Sequence, residues 1–133
     1  KAIFSTVPEI SFRSVPDAEG DSCTFISWFL PTEEQTRKFV AVMKEQGIMA
    51  GNFYWYDNNW HYIKKWQHLK TAGSLYNLNE EQQQALLSLS TQSFAASDAV
   101  MSRCISTAIS LLWTDEQMEA KANKIVEIVK SIL

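Results

Sequence analysis

Residues 23–47 read "CTFISWFLPTEEQTRKFVAVMKEQG". The first eight are apolar on both faces, which predicts a covered, central β-strand over 23–30. Pro31 stops it. Thr32 then stands three residues before Gln35, the spacing of a capping box, in which each side chain satisfies the other's backbone N–H. Glu33 and Glu34 suit the positive start of a helix. Thr36, Phe39, Val40 and Met43 share one helical face, and Gly47 supplies a left-handed stop. The stretch therefore reads as a strand followed directly by an amphipathic helix.

Residues 103–133 follow the same plan. "RCISTAISLLW", residues 103–113, predicts a strand. Thr114 and Gln117 repeat the cap, and Met118, Ala122, Ile125, Val129 and Ile132 form one helical stripe. The likeness is one of pattern, not of repeated residues. Outward from these two units, Ile10 to Val15 alternates as a strand, and "PDAEGDS", residues 16–22, is turn chemistry. Residues 60–71 predict a short helix, and residues 79–92 a helix capped by Asn79. The expected fold is α+β: one domain of 133 residues with a small, mostly antiparallel sheet and helices packed on it.

Composition narrows the function. Net charge is −3, with acidic and basic residues interspersed. The chain has no basic stripe, so nucleic acid is not an expected partner. No apolar run reaches the roughly 20 residues of a membrane-spanning helix, and no signal-peptide pattern opens the sequence. Cys23 and Cys104 both fall in strand-like apolar runs and are expected to be buried free thiols, which suits a cytoplasmic protein. The sequence starts at Lys1 instead of Met, an expected sign of a fragment.

Familiar catalytic patterns are missing. His61 and His68 lie seven apart, too far along a helix to share one metal ion, and no metal-ligand motif occurs. No Gly-x-Ser-x-Gly elbow and no glycine-rich phosphate loop is present. Lys38, Lys44, Lys121, Lys124 and Lys130 sit on helix patterns facing solvent, and Lys64, Lys65 and Lys70 lie among aromatics. None reads as the desolvated lysine that Schiff-base chemistry needs.

Two features remain. Arg103 opens an apolar strand, where its planar fork is placed for a carboxylate or phosphate; a surface ion pair is the plainer reading. Residues 51–70, "GNFYWYDNNWHYIKKWQHLK", hold seven of the sixteen aromatic residues and both histidines. They read either as a satellite core of Phe53, Trp55, Trp60 and Trp66, or as a binding wall of stacking faces and amide, phenol and imidazole tips.

"RSVPDAEGDSCTFISWFLPTEEQTRKFVAVMKEQGI", with "MSRCISTAISLLWTDEQMEAKANKIVEIV", resembles the C-terminal domain of the DegT/DnrJ/EryC1/StrS sugar aminotransferases, pyridoxal-phosphate enzymes of the aspartate aminotransferase fold. The likeness rests on the "PDxEGD" turn, the helix ending in "GI" and "SRxIS" before the last strand and helix. "YWYDNNWHYIKKWQHLK" is similar to the branch that aminates 8-oxo-3-deoxy-octulosonate in lipopolysaccharide sugar biosynthesis. The resemblance implies a homodimeric parent whose large domain, outside this chain, carries the Schiff-base lysine and most contacts to pyridoxal 5'-phosphate. It implies glutamate as amino donor and a sugar acid as acceptor. Arg103 is then expected to grip a carboxylate, and Tyr54, Trp55, Asn58, Trp60 and His61 to recognise the acceptor. The competing expectation is a stand-alone module that binds carbohydrate or protein through residues 51–70.

Overall fold

A computed structural model describes residues 1–58, 60–71 and 77–133. Its helices, in chain order, are α1 (Glu33–Glu45), α2 (Gln67–Lys70), α3 (Glu80–Ser88), α4 (Ala95–Met101) and α5 (Asp115–Ile132). Its strands are β1 (Ser11–Phe12), β2 (Phe25–Phe29), β3 (Asn52–Phe53) and β4 (Cys104–Ala108). The chain divides into two compact units. The first joins Lys1–Tyr54 to Ser102–Leu133, and the second is Trp55–Met101.

The first unit is the expected α+β arrangement. Its sheet has the order β1-β2-β4-β3, with antiparallel neighbours throughout. β2 and β4 form the centre, in a register that sets Trp28 opposite Ile105 and Ser27 opposite Ser106. Side chains alternate across a strand, so these two pairs serve opposite faces. Trp28, Leu30 and Ile105 are fully buried, as are Phe39 of α1 and Val129 of α5. Trp28 is the hub. Phe4 and Phe39 each meet its ring edge-on with centroids 5.2 Å apart. Its indole N–H donates to Thr107 Oγ1 at 3.0 Å, and that hydroxyl donates to Asn52 Oδ1 at 2.7 Å. The one polar atom of the largest core side chain is thereby satisfied, as burial requires. On the other face the Ser27 and Ser106 hydroxyls bond to each other at 2.9 Å.

The helix termini follow their sequence signals closely. Thr114 and Gln117 form the reciprocal capping box, and so do Asn79 and Gln82. At Thr32 only half of the box forms. Its oxygen accepts from the Gln35 backbone, but Gln35 Oε1 takes the Thr32 hydroxyl rather than the backbone N–H. Gly47, at φ +68°, closes α1. The Ile48 N–H reaches the Met43 carbonyl, and the Gly47 N–H that of Lys44. Those two bonds are the Schellman pattern that favours glycine there.

Expected strands are trimmed where side chains compete for the backbone. The strand predicted from Cys23 begins at Phe25. The Cys23 N–H donates to Asp21 Oδ1 at 3.0 Å, and the residue adopts φ +53°. Cys23 is consequently exposed, against the expectation of burial, whereas Cys104 is buried; both thiols are free. The strand predicted over 103–113 ends at Ala108. Ser110 turns the chain by accepting the Leu112 N–H at its hydroxyl and the Trp113 N–H at its carbonyl, which leaves Leu111 and Leu112 facing solvent. Of the pattern over 10–15, only Ser11–Phe12 pairs. The α5 stripe is buried at Ile125, Val129 and Ile132, but Met118 is exposed.

The second unit is built of short helical pieces. The helix predicted over 60–71 is a 3-10 turn, Ile63–Lys65, followed by the single turn α2. The helix predicted over 79–92 stops at Ser88, where the hydroxyls of Ser88, Ser90 and Thr91 bond to carbonyls three residues back. Such local bonds compete with helix continuation. α4 was not expected, because "AASDAVM" carries no apolar stripe. No helix among the described residues is long and apolar enough to cross a membrane.

Ile105→Ala should cost about 2–5 kcal/mol, the range for a buried aliphatic cut back to a methyl. Met118→Ala, on the exposed end of the α5 stripe, should stay within about 0.5 kcal/mol. Denaturant unfolding of the two variants checks this; equal losses would contradict the packing described.

Candidate functional site

The aromatic stretch is ordered by two tyrosines. Tyr56 and Tyr62 are buried, stack at 5.7 Å with 27° between ring planes, and both donate to Asp98 Oδ1, at 3.0 Å and 2.7 Å. The second oxygen of Asp98 receives the Lys64 ammonium at 2.5 Å. Phe94 meets the Tyr62 ring edge-on at 6.2 Å, and the Lys65 ammonium lies 4.7 Å above the Tyr56 ring. The hydrogen bonds from Lys64, then Tyr62, hold the Asp98 carboxyl below the usual carboxylate range. Burial, and next the hydrogen bond to Asp98, push the Tyr62 phenol above its ordinary value.

Between these tyrosines lie three of the predicted residues, Asn58, Trp60 and His61, with Trp55 just before Tyr56. Asn58 Oδ1 accepts the Trp60 N–H at 2.9 Å, an Asx turn, and the Asn58 N–H reaches the Trp55 carbonyl at 3.3 Å. The His61 ring stands edge-on to Trp55 at 4.5 Å, and Trp60 lies 6.1 Å from Trp55 at a 31° tilt. Trp60 is 72% exposed. The structure thus brings Trp55, Asn58, Trp60 and His61 into one cluster with a solvent-facing indole. Exposed aromatic faces with an amide and an imidazole beside them suit a flat or sugar-like ligand.

The other two predicted residues belong to the first unit. Tyr54 is buried; its hydroxyl donates to the Ser102 carbonyl at 2.8 Å, and the Arg37 guanidinium lies 5.5 Å from its ring. Arg103 is half-buried beside the end of β2. Its Nη1 donates to the Leu30 carbonyl at 3.4 Å, and its own carbonyl accepts the Leu30 N–H. The buried rings of the aromatic stretch are Tyr54, Tyr56 and Tyr62. Of the four residues in the satellite-core reading, Trp55 and Trp66 are half-buried, and Phe53 and Trp60 are exposed.

Asp98, Lys64 and the two tyrosine hydroxyls escaped sequence reading. Their partners lie 34 to 42 positions apart, and nothing local marks them. No group of three or more His, Cys, Asp or Glu side chains suited to a metal ion occurs among the described residues. Burial pushes the Cys104 thiol up, partly opposed by a hydrogen bond with Ser106. A cleft of about 480 Å³ opens in the first unit between Phe4, Ile26, Trp113, Met118 and Ile125, and none of the six predicted site residues lines it. No protein-family model matches the chain.

The Asp98 cluster has a defined pH window. A carboxyl depressed on folding stabilises above its unfolded pKa, near 4, and loses that contribution as pH falls through the folded value. A phenol raised on folding stabilises below its unfolded pKa, near 10, and loses that contribution as pH rises through the folded value. Protection of residues 55–65 from hydrogen exchange should be flat from about pH 5 to about 9 and fall below about 4. Asp98→Asn should remove the acid-side fall; an unchanged profile in that variant would exclude Asp98 as the titrating group.

Proposed function

We propose that this chain is the small domain of a pyridoxal-phosphate sugar aminotransferase and supplies part of the acceptor wall. The observation carrying the reading is the cluster of Trp55, Asn58, Trp60 and His61 on an anchored loop, in a chain whose motif order resembles that family. An exposed indole stacks on a sugar ring, while the neighbouring amide and imidazole give oriented hydrogen bonds. The acceptor class is a keto or aldehydo sugar, with 8-oxo-3-deoxy-octulosonate the specific candidate and glutamate the donor. Lipopolysaccharide sugar biosynthesis in the cytoplasm is the corresponding setting, and the parent a homodimer.

In this reading none of the described lysines forms the Schiff base. Lys64 is paired with Asp98, Lys65 lies over Tyr56, and Lys38, Lys44, Lys121, Lys124 and Lys130 are exposed. A Schiff-base lysine needs a desolvated pocket. The parent's large domain supplies the lysine and the cofactor contacts in this reading, and the chain alone does not transaminate. Its own contribution is binding and orientation. Arg103 offers charge-assisted hydrogen bonds to a substrate carboxylate, and the aromatic cluster holds the sugar.

A second reading has one observation in its favour, the high exposure of Trp60. It makes residues 51–70 a carbohydrate- or protein-binding face that works without a large domain. The two readings separate experimentally. The protein encoded by the complete reading frame should show a visible Schiff-base band that borohydride abolishes, and the 133-residue chain alone should bind a 3-deoxy sugar acid weakly or not at all. Absence of the band, with tight binding by the isolated chain, would favour the second reading. In the full-length enzyme Arg103→Gln should lower kcat/KM for a carboxylate substrate about tenfold to a hundredfold, the loss of a hydrogen bond to a charged group. An unchanged kcat/KM would remove Arg103 from the site.

A further inference from the structure

Two ring pairs flank the exposed Trp60: the stacked pair Tyr56 and Tyr62, and the edge-on pair Trp55 and His61. Each residue of the second pair is the direct chain neighbour of one of the first. Trp55 precedes Tyr56, and His61 precedes Tyr62. One planar peptide separates each pair, so a displaced tyrosine carries its neighbour with it. Both phenols converge on a single oxygen of Asp98, and Lys64, two residues beyond Tyr62, takes the other. Asp98 therefore holds both feet of the loop and the chain just after it.

We propose that Asp98 is a positioning residue for acceptor binding, setting the geometry of Trp55, Trp60 and His61 without touching the ligand. The proposal rests on the acceptor-wall reading above. Two hydroxyl donors sharing one acceptor must approach it from adjacent directions, and the 27° stack shows that the rings do so side by side. Losing the shared acceptor frees the two feet to separate. Trp55 and His61, each one peptide from a foot, separate with them. Trp60 is tied to Asn58 by its backbone N–H and rests against Trp55, so it follows. A ligand stacking on the cluster then has to order side chains that the native protein holds in place already, which weakens binding. Asp98 lies on α4, remote in sequence from the loop, and its action is confined to how the loop is held.

The test uses the full-length protein labelled with 5-fluorotryptophan, in wild-type, Asp98→Ala and Tyr62→Phe forms. Fluorine NMR reads the tryptophans separately, with Trp28, fully buried in the first unit, as internal control. The Trp55 and Trp60 resonances should shift or broaden in both variants while Trp28 stays in place. Kinetically, the KM for the sugar acceptor should rise about tenfold in Asp98→Ala, with kcat and the glutamate half-reaction unchanged. Unmoved Trp55 and Trp60 signals would overturn the proposal. So would moved signals with an unchanged acceptor KM, or an equal loss in both half-reactions together with a shifted Trp28, which would mark a general folding role. A wild-type protein without transamination activity would instead sink the aminotransferase reading, an outcome separate from these.

Discussion

The pairing of β2 with β4 is the constraint on which the first unit rests. Five residues face five across 79 positions of sequence, and each strand leads into one of the two long helices. Without this register Trp28 and Ile105 do not meet, and α1 and α5 have no common surface to cover. A one-residue slip would exchange the two faces of β2. Trp28 would leave the core, and Ser27 would enter it without Ser106. The hydroxyl pair on one face and the indole bond to Thr107 on the other are polar checks on that register, because a slip leaves buried donors unpaired. Closing so long a loop before the contacts form also makes this the slow step expected of non-local topologies.

The two units are stabilised by different physics. The first is an apolar core around Trp28, with helices long enough to present a stripe. The second has short helices with little apolar stripe, and such elements are marginal alone. A carboxylate with three donors takes over the organising role there. Charge-assisted bonds of this kind are directional where apolar contact is not. They fix orientation better than they add stability, and they hold the segment in which Trp60 faces solvent.

Much of the first unit was legible because its signals are local. A Thr cap with Gln three residues on, an apolar stripe and a closing glycine lie within one helix, and α1 and α5 appear where those signals place them. The overlong strands show the limit. Apolar alternation continues through Cys23 and through 109–113, but Asp21 and Ser110 capture the backbone there, and hydropathy does not register that capture. In the aromatic stretch the residue types suggested a mixed role. Which rings pack was decided by Asp98 and Ser102, whose partnership with Tyr56, Tyr62 and Tyr54 is a matter of three-dimensional convergence. Arg103 was legible as a strand-end arginine; its bond to the Leu30 carbonyl follows from the β2–β4 register and has no local signature.

The hydrogen bond from Tyr54 to Ser102 has a bearing on how such a protein diversifies. These residues are the last of the first unit before the second unit begins and the first after it ends. Because the bond closes within the first unit, the two ends of the intervening 47-residue segment are pinned by the sheet-bearing unit itself. A segment tethered at adjacent points can be lengthened, shortened or rewritten at an entropic cost that grows only slowly with its length. The bond thus marks a seam, at which the length of the intervening segment can change without altering the pairing of the strands that flank it.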